Sequence, residues 1–264
     1  MNRKADKYKL GIFSWFGYIL PLPKRLRLIK EAGFDVTTLW WEDEIGYKKE
    51  DMPKIVKECG LLIENIHVPY NYCEDLWSRE NLIRQKAIKT HIEWIEECAK
   101  YNIPIIVMHV SDKNALKTPN KYGLFSLYEL TKKAEELNVT LAIENTKYYS
   151  FIDYLLEYIK SDYLGFCYDS SHDWLYGKEK CGILNRWKYR LICTHLSDNN
   201  GVYDCHWLPG EGIINWQKVM RNVLIPSYRG NLTLEVIAQR EKYCKPEKFL
   251  KEAYNRLQKL IESI

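Results

Sequence analysis

Residues 140–169 have the sequence TLAIENTKYYSFIDYLLEYIKSDYLGFCYD, in which two apolar runs enclose one amphipathic segment. The runs at 140–144 and 164–169 are short and apolar or β-branched, so each predicts a buried strand. Segment 151–159 has the spacing of apolar residues that is typical of a helix. A strand, a helix and a second strand in this order predict a βαβ unit with parallel strands.

The same alternation extends over the rest of the chain. Further strands are predicted at 10–13, 36–40, 62–67, 105–109, 191–196 and 231–235. Helical patterns lie between and after them, at 23–32, 52–59, 80–101, 124–137, 182–187, 216–223 and 246–263. Gly33 and Gly60 directly follow two of these helices, where a left-handed residue commonly ends a helix.

Eight strand and helix units can close into a (β/α)₈ barrel, and this is the fold that the alternation favours. An open, doubly wound sheet is the structural alternative. That fold usually carries a glycine-rich phosphate loop after its first strand, whereas the segment here is Ser14-Trp15-Phe16-Gly17. No linker rich in proline, glycine or serine interrupts the chain, so we expect one domain over residues 1–264.

Composition favours a globular protein. Hydrophobic residues make up 46% and charged residues 28% of the chain, and no apolar run reaches the roughly 20 residues of a membrane span. The charged start at residues 1–7 lacks a small-residue cleavage site, so we expect no signal peptide and a cytoplasmic location. Eight scattered cysteines without a Cys-x-x-Cys pair predict reduced thiols.

The charge of the chain gives little support to nucleic-acid binding. The formal net charge is +4, and the only dense basic cluster is residues 24–27, Lys-Arg-Leu-Arg. A solvated helix face produces such a cluster more often than a nucleic-acid site does.

Ionisable residues lie at the ends of six predicted strands, namely His67, His109, Glu144, Asp169, His195 and Glu235. In an eight-stranded barrel these ends share the face that carries active sites. His172 follows Asp169 by three residues, and Asp204 and His206 form an Asp-x-His pair. Imidazole and carboxylate groups are the ligands expected of Zn²⁺ or Mn²⁺ when thiolates do not take part.

Each of these residues, taken alone, has a plainer explanation. A single histidine at a strand end is more often a hydrogen-bonded structural residue than a ligand. Glu144 could be an ordinary polar strand end, and Asp169 could cap the next helix. Such explanations have to be invoked separately at every strand end, so the pattern favours a metal site. Of the six histidines only His91, inside a predicted helix, falls outside the set.

At these residues the chain resembles the xylose isomerase-like TIM barrel superfamily. That superfamily includes sugar-phosphate isomerases and epimerases, inositol-catabolism dehydratases and type IV apurinic endonucleases. The resemblance runs from the first strand to Glu235. Its most specific segments are LAIENT at 141–146, GFCYDSSH at 165–172 and THLSDN at 194–199, the last continuing through Asp-Cys-His at 204–206 to Pro-Gly-Glu-Gly at 209–212.

The resemblance implies a ligand set. In the isomerase and epimerase branch one metal is held by residues that correspond to Glu144, Asp169, His195 and Glu235, and His172 corresponds to a substrate-contacting histidine. The endonuclease branch holds a cluster of zinc ions and adds ligands at the positions of four further residues. These are His67, His109, Asp204 and His206, with His172 beside them, so one to three ions could be held.

We expect small-molecule chemistry, with a metal-dependent sugar or sugar-phosphate isomerase or epimerase as the leading function. An apurinic endonuclease is the alternative. The segment Trp41-Glu42-Asp43-Glu44 after the second strand is acidic, however, whereas a protein that binds duplex DNA needs basic and polar groups to contact the phosphates. A third alternative is a barrel that binds a ligand without catalysis. Paired carboxylates across one metal argue against that reading. Homo-oligomers are common among such barrels, so self-association stays open.

In the expected reaction the metal chelates a carbonyl and a neighbouring hydroxyl group of the substrate. Glu144 and Glu235 would withdraw and return a proton from opposite sides, and His172 would hold a hydroxyl or stabilise negative charge. Aromatic side chains near the strand ends would form an apolar wall for the sugar, although core packing explains any one of them equally well. The candidates are Trp15, Trp40, Trp41, Tyr70, Trp174 and Trp207.

Overall fold

A computed structural model describes residues 7–112 and 116–264. Residues 1–6, on which the expectation of no signal peptide largely rests, lie outside this part. The strands are β1 (Leu10–Phe13), β2 (Val36–Trp40), β3 (Leu62–His67), β4 (Ile105–Met108), β5 (Thr140–Glu144), β6 (Leu164–Asp169), β7 (Leu191–His195) and β8 (Leu232–Leu234). Their bounds agree with the predicted ones except that β4, β7 and β8 are one residue shorter at one or both ends.

The strands form one parallel sheet in the order β7-β6-β5-β4-β3-β2-β1-β8. The chain closes this sheet just past β7, where Leu196 pairs with Leu234. The N–H of Leu196 donates to the carbonyl of Thr233 at 2.9 Å, and the N–H of Glu235 donates to the carbonyl of Leu196 at 3.1 Å. The predicted (β/α)₈ barrel is therefore confirmed, and the open doubly wound sheet is excluded.

The helices pack outside the barrel. They are α1 (Leu22–Ala32), α2 (Met52–Glu58), α3 (Asn81–Lys100), α4 (Lys121–Glu136), α5 (Ser150–Tyr158), α6 (Ser170–Tyr176), α7 (Gly182–Trp187), α8 (Trp216–Val223) and α9 (Pro246–Glu262). Gly33 and Gly60 have φ angles of 111° and 74°, as expected of residues that end helices in the left-handed region. None of the helices in the described ranges combines the length and apolar character needed to cross a membrane.

Two helix starts differ from the prediction by more than one residue. Helix α4 begins at Lys121 rather than at 124, because the side chain of Asn120 accepts hydrogen bonds from the N–H groups of Tyr122 and Gly123. Helix α6 follows β6 directly and was not among the predicted helices, although a cap for a following helix was one explanation considered for Asp169. The Asp169 side chain accepts the N–H of His172 at 2.6 Å and so begins this helix.

The core has two layers. A large apolar layer lies between the strands and the helices, and a small one fills the barrel interior with Val107, Ala142, Cys167 and Cys193. All eight cysteines are free thiols, as predicted. A cytoplasmic location and self-association remain predictions.

Candidate metal centre

Glu144, the last residue of β5, contacts four imidazole rings. Its Oε2 atom lies 3.0 Å from Nδ1 of His195 and 3.2 Å from Nε2 of His67. Its Oε1 atom lies 3.1 Å from Nδ1 of His172 and 3.5 Å from Nε2 of His109. Because parallel strands end on one face of the barrel, residues far apart in sequence meet around this one carboxylate.

Three further strand-end residues converge with Glu144. Glu144, Asp169, His195 and Glu235 each offer one ligand atom, and these four atoms lie within 4.8 Å of one another. Nδ1 of His195 lies 3.0 Å from a carboxylate oxygen of both Glu144 and Glu235. This is the four-residue set that the resemblance implied for one metal.

The additional candidate ligands border this set on two sides. His67, His109 and Glu144 form a second group of ligand atoms within 4.8 Å. On the other side, Oδ2 of Asp204 lies 3.1 Å from Nε2 of His172 and 3.3 Å from Nε2 of His206. The structure thus brings together all nine residues that were predicted as ligands.

The buried charges shift one another's pKa values. Burial acts to raise the pKa of Glu144, but the rings of His195 and His109 outweigh it and hold that pKa well below its usual range. Burial acts to lower the pKa of His172, yet Asp169 and a hydrogen bond with Asp204 raise it well above the usual value. Both shifts favour the charged forms, the Glu144 carboxylate and the His172 imidazolium.

Asp169 differs from the other carboxyl groups. Burial raises its pKa to about 7, although the neighbouring His172 acts to lower it. Burial likewise lowers the pKa of His109, against the pull of Glu144. Both groups are thus held in an environment that disfavours their charged forms, and a nearby divalent cation would restore the carboxylate of Asp169.

Several buried ligand atoms have no protein partner, which tests whether a cation fits here. Within the described residues these atoms include Oδ2 of Asp169, a member of the four-residue set. Nε2 of His195 and Nδ1 of His109 also lack a partner, whereas the other nitrogen of each ring is the one that lies near Glu144. A buried polar atom without a partner is costly, and one that faces a metal is not orphaned. The donor set of imidazole nitrogens and carboxylate oxygens matches that of Zn²⁺ or Mn²⁺. The residues present therefore fit such an ion.

A cavity of about 370 Å³ opens above these groups. Trp40 and Tyr70 form an aromatic wall at one side, with the Trp40 ring stacked on His67 at 5.0 Å and the Tyr70 ring stacked on His109 at 5.4 Å between centroids. The cavity is lined by Trp40, His67, Tyr70, His109, Asp112, Glu144, Thr146, Lys147, His172, Tyr176, Asp204, His206 and Glu235.

Four of the tryptophans expected at the substrate wall lie elsewhere, which corrects that expectation. Trp41 is buried and its indole N–H donates to Glu97 of α3. Consecutive strand residues point to opposite faces, so Trp40 faces the cavity and Trp41 does not. Trp174 is buried in α6, and Trp15 packs under Arg25.

Trp207 is the fourth of these tryptophans. It is half-buried and pairs through its backbone with Asp198. The structure therefore keeps Trp40 and Tyr70 as candidates for the wall.

The sequence analysis missed four residues that line the cavity, Asp112, Thr146, Lys147 and Tyr176. Thr146 and Lys147 follow β5 by two and three residues, so their place after a strand end was a usable signal. Tyr176 could not be found in this way because it depends on helix α6.

The loop after β7 carries Asp204 and His206, and Asp198 organises it. The buried Asp198 carboxylate accepts hydrogen bonds from the N–H groups of Gly210 and Ile214 and from the indole of Trp216. His206 has a φ angle of 48°, a left-handed conformation that is costly for a residue other than glycine. Its ring is thereby held against Asp204.

Comparisons with known proteins agree with this fold. The family model described as xylose isomerase-like TIM barrel matches residues 26–260. The uncharacterized protein y4fM of Sinorhizobium fredii is 29% identical over 250 residues, covering 80% of this chain and 79% of that protein. Fructoselysine 3-epimerase of Shigella flexneri is 21% identical over 272 residues, covering 96% and 98%. A solved L-ribulose 3-epimerase structure has a TM-score of 0.80 at 14% identity, covering 97% of this chain and 95% of that one.

Proposed function

Because the chain belongs to the xylose isomerase-like TIM barrel family, we propose that it is a metal-dependent sugar isomerase or epimerase. The observation that carries the proposal is the convergence of Glu144, Asp169, His195 and Glu235, of which Glu144 and Glu235 line a cavity of about 370 Å³. Cavities of roughly 300–1,000 Å³ are typical of small-molecule sites.

Glu144, Asp169, His195 and Glu235 would hold one divalent ion, Zn²⁺ or Mn²⁺. When bound, this ion supplies a Lewis acid that polarises a substrate carbonyl group. His67, His109, Asp204 and His206 are available to further ions, and His172 could join them only as the neutral ring, so the number of ions is proposed as one to three.

Glu144 and Glu235 are the proposed acid and base. They end β5 and follow β8, which places them on different sides of the barrel mouth. Burial acts to raise the pKa of Glu235, but His195 lowers it, and this shift favours the ionised carboxylate that a general base requires. One residue removes a proton beside the carbonyl and the other returns it to the same or a neighbouring carbon.

His172 is proposed to stabilise the negative charge that develops on the substrate oxygen. Its raised pKa favours the protonated ring. Its Nε2 atom is hydrogen-bonded to Asp204 at 3.1 Å, and its Nδ1 atom lies 3.1 Å from Glu144. A fixed cationic donor at this point lowers the energy of the charged transition state. Trp40 and Tyr70 would pack against the apolar face of the sugar.

The names of the relatives support carbohydrate chemistry. Fructoselysine 3-epimerase matches this chain over nearly its whole length, and a ribulose epimerase shares the fold. Both names describe sugar derivatives that carry a ketone. A ketose or a ketose derivative is therefore the proposed substrate class.

An apurinic endonuclease is the second candidate function, and one observation favours it. The extra ligands of that branch, His67, His109, Asp204 and His206, surround the four-residue set. Against it, the region after β2 is acidic, and a duplex would need cationic contacts for its phosphates.

The experiment that tests the proposal measures deuterium exchange from heavy water into a panel of ketoses by NMR. We expect exchange with the protein reloaded with Mn²⁺ or Zn²⁺ and none after chelation. A duplex with one abasic site is incubated in parallel. Incision of that duplex without exchange on any ketose would replace the isomerase by the endonuclease.

A further inference from the structure

Cys167 lies in β6, two residues before Asp169, and its side chain therefore faces the barrel interior as Asp169 does. It is fully buried and belongs to the small interior layer with Val107, Ala142 and Cys193. In the sheet Cys167 pairs in register with Glu144, so this interior layer adjoins the candidate metal centre.

The thiol of Cys167 converges with two residues of the metal centre. Cys167, Glu144 and His195 each offer one ligand atom, and the three atoms lie within 4.8 Å of one another. His195 is fully buried, and its Nε2 atom has no hydrogen-bond partner within the described part of the chain. A sulfur, an oxygen and a nitrogen donor thus meet in a group that shares Glu144 and His195 with the four-residue set.

We propose that Cys167 Sγ is a metal ligand for thiophilic divalent ions, which it binds together with Glu144 and His195. This rests on the proposed function, in which Glu144 and His195 hold a metal. Thiolates select softer ions such as Zn²⁺ or Cd²⁺, whereas Mn²⁺ prefers oxygen and nitrogen donors. Binding replaces the S–H bond of Cys167 by a sulfur–metal bond and releases the proton to solvent.

Cys193 provides a matched control. It is the register partner of Cys167 on β7, is equally buried and belongs to the same interior layer. It is absent from the groups of converging ligand atoms found among the described residues. If Cys167 only fills space in the core, the two cysteines should respond alike to substitution.

The test is the absorption spectrum of the full chain loaded with Co²⁺. We expect visible d–d bands together with a near-ultraviolet charge-transfer band from sulfur to cobalt. The charge-transfer band should be lost in Cys167→Ala and kept in Cys193→Ala, while the d–d bands persist in both. Visible bands without a charge-transfer band in the wild type would overturn this inference and leave the metal centre intact. No cobalt binding at all would overturn both.

A second measurement compares affinities by competition with a chelating dye. Cys167→Ala should weaken Cd²⁺ binding at least ~10-fold, an effect typical of altering a metal site, and leave Mn²⁺ binding unchanged. Equal losses in Cys193→Ala would contradict the proposal. If Cys167→Ala does not fold, cadmium NMR of the wild type decides, because a sulfur ligand moves the resonance strongly downfield and its absence refutes the proposal.

Discussion

The carboxylate of Glu144 lies within 3.5 Å of the rings of His67, His109, His172 and His195. Each ring comes from a different element, so one side chain joins β3, β5, β7 and α6 with the residue that follows β4. Such a group both neutralises nearby charge and fixes the orientation of its neighbours. Replacing it should therefore affect metal binding and catalysis more than folding.

We expect Glu144→Gln to abolish turnover, with a loss of at least about 10³-fold, because it removes a proton acceptor and a metal ligand. Metal content after dialysis should fall as well. Elemental analysis and ketose turnover measure the two effects. Glu64→Gln is the control, since Glu64 is a buried glutamate of β3 outside the groups of converging ligand atoms found in the described residues. Equal activity of Glu144→Gln and wild type would remove this mechanism.

His91 is the histidine that the sequence analysis left out of the site. It is buried in α3, where its Nδ1–H donates to the carbonyl of Ala87 at 2.8 Å and its ring packs on Trp94. Burial lowers the pKa of His91 from 6.5 to about 4, although the Ala87 carbonyl acts to raise it. The native state therefore requires the neutral ring.

This shift makes the free energy of unfolding depend on pH. The unfolded state takes up a proton at His91 below about pH 6.5, whereas the folded state resists it down to about pH 4. The contribution of His91 to the free energy of unfolding is complete above pH 6.5 and decreases as the pH falls. At pH 4 the loss is about 3 kcal/mol. His91→Gln should flatten the acid side of the stability curve measured by urea unfolding. Parallel curves for both proteins between pH 7 and pH 4 would contradict this.

Helix α4 approaches the chain after β3 closely at Gly123. A Cβ atom at this position would lie 1.9 Å from the Trp77 ring, and Trp77 is itself buried with its indole N–H donating to the carbonyl of Val110. The helix can pack here only because the side chain is absent. A glycine inside a helix is otherwise unfavourable relative to alanine, so packing outweighs propensity at this site.

Gly123→Ala should therefore destabilise the protein by about 1–3 kcal/mol, the usual range for overpacking. Gly182→Ala is the control because the nearest atom to its added Cβ, the Cβ of Glu179, is 3.3 Å away. This contact is close, but a shift of the Glu179 side chain by a few tenths of an ångström relieves it, so Gly182→Ala should lose clearly less stability than Gly123→Ala. Urea unfolding measures both, and a stabilised Gly123→Ala would show that Trp77 moves aside without cost.

Several carboxylates lie together at one face of the barrel, so a cation bound among them would raise the free energy of unfolding of the whole barrel. Asp169, Glu144, Glu235 and Asp204 are brought together only when the barrel is closed. An ion that binds the folded state alone stabilises it by about 2.7 kcal/mol at a hundredfold excess over its dissociation constant.

Chelation should therefore lower the Tm by roughly 5–10 °C, since 1 kcal/mol corresponds to about 2–4 °C in a chain of this size. Adding back Zn²⁺ or Mn²⁺ should restore the Tm, whereas Mg²⁺, which dehydrates reluctantly, should restore less. Differential scanning calorimetry measures the shift. A Tm that no divalent ion changes would count against a metal centre in this barrel.

The barrel and the convergence of its strand-end residues could be predicted because both depend on short-range patterns. Each strand is an apolar run of a few residues, and parallel strands with outer helices necessarily end on one face, so polar residues at strand ends must converge there. That rule needs no knowledge of side-chain contacts. It places His67, His109, Glu144, His195 and Glu235 around one point from their positions alone.

Contacts between side chains of distant elements could not be predicted in this way. Trp40 and Trp41 are neighbours in the sequence, yet one faces the cavity and the other packs on α3. Tyr176 reaches the cavity through a helix that depends on the Asp169 cap, and Cys167 meets Glu144 and His195 only inside the closed barrel. Local sequence patterns indicate whether a segment forms a helix or a strand and which of its residues are buried. Which side chains then meet depends on how eight separately specified units pack, because contact distances are set by the closure of the whole sheet.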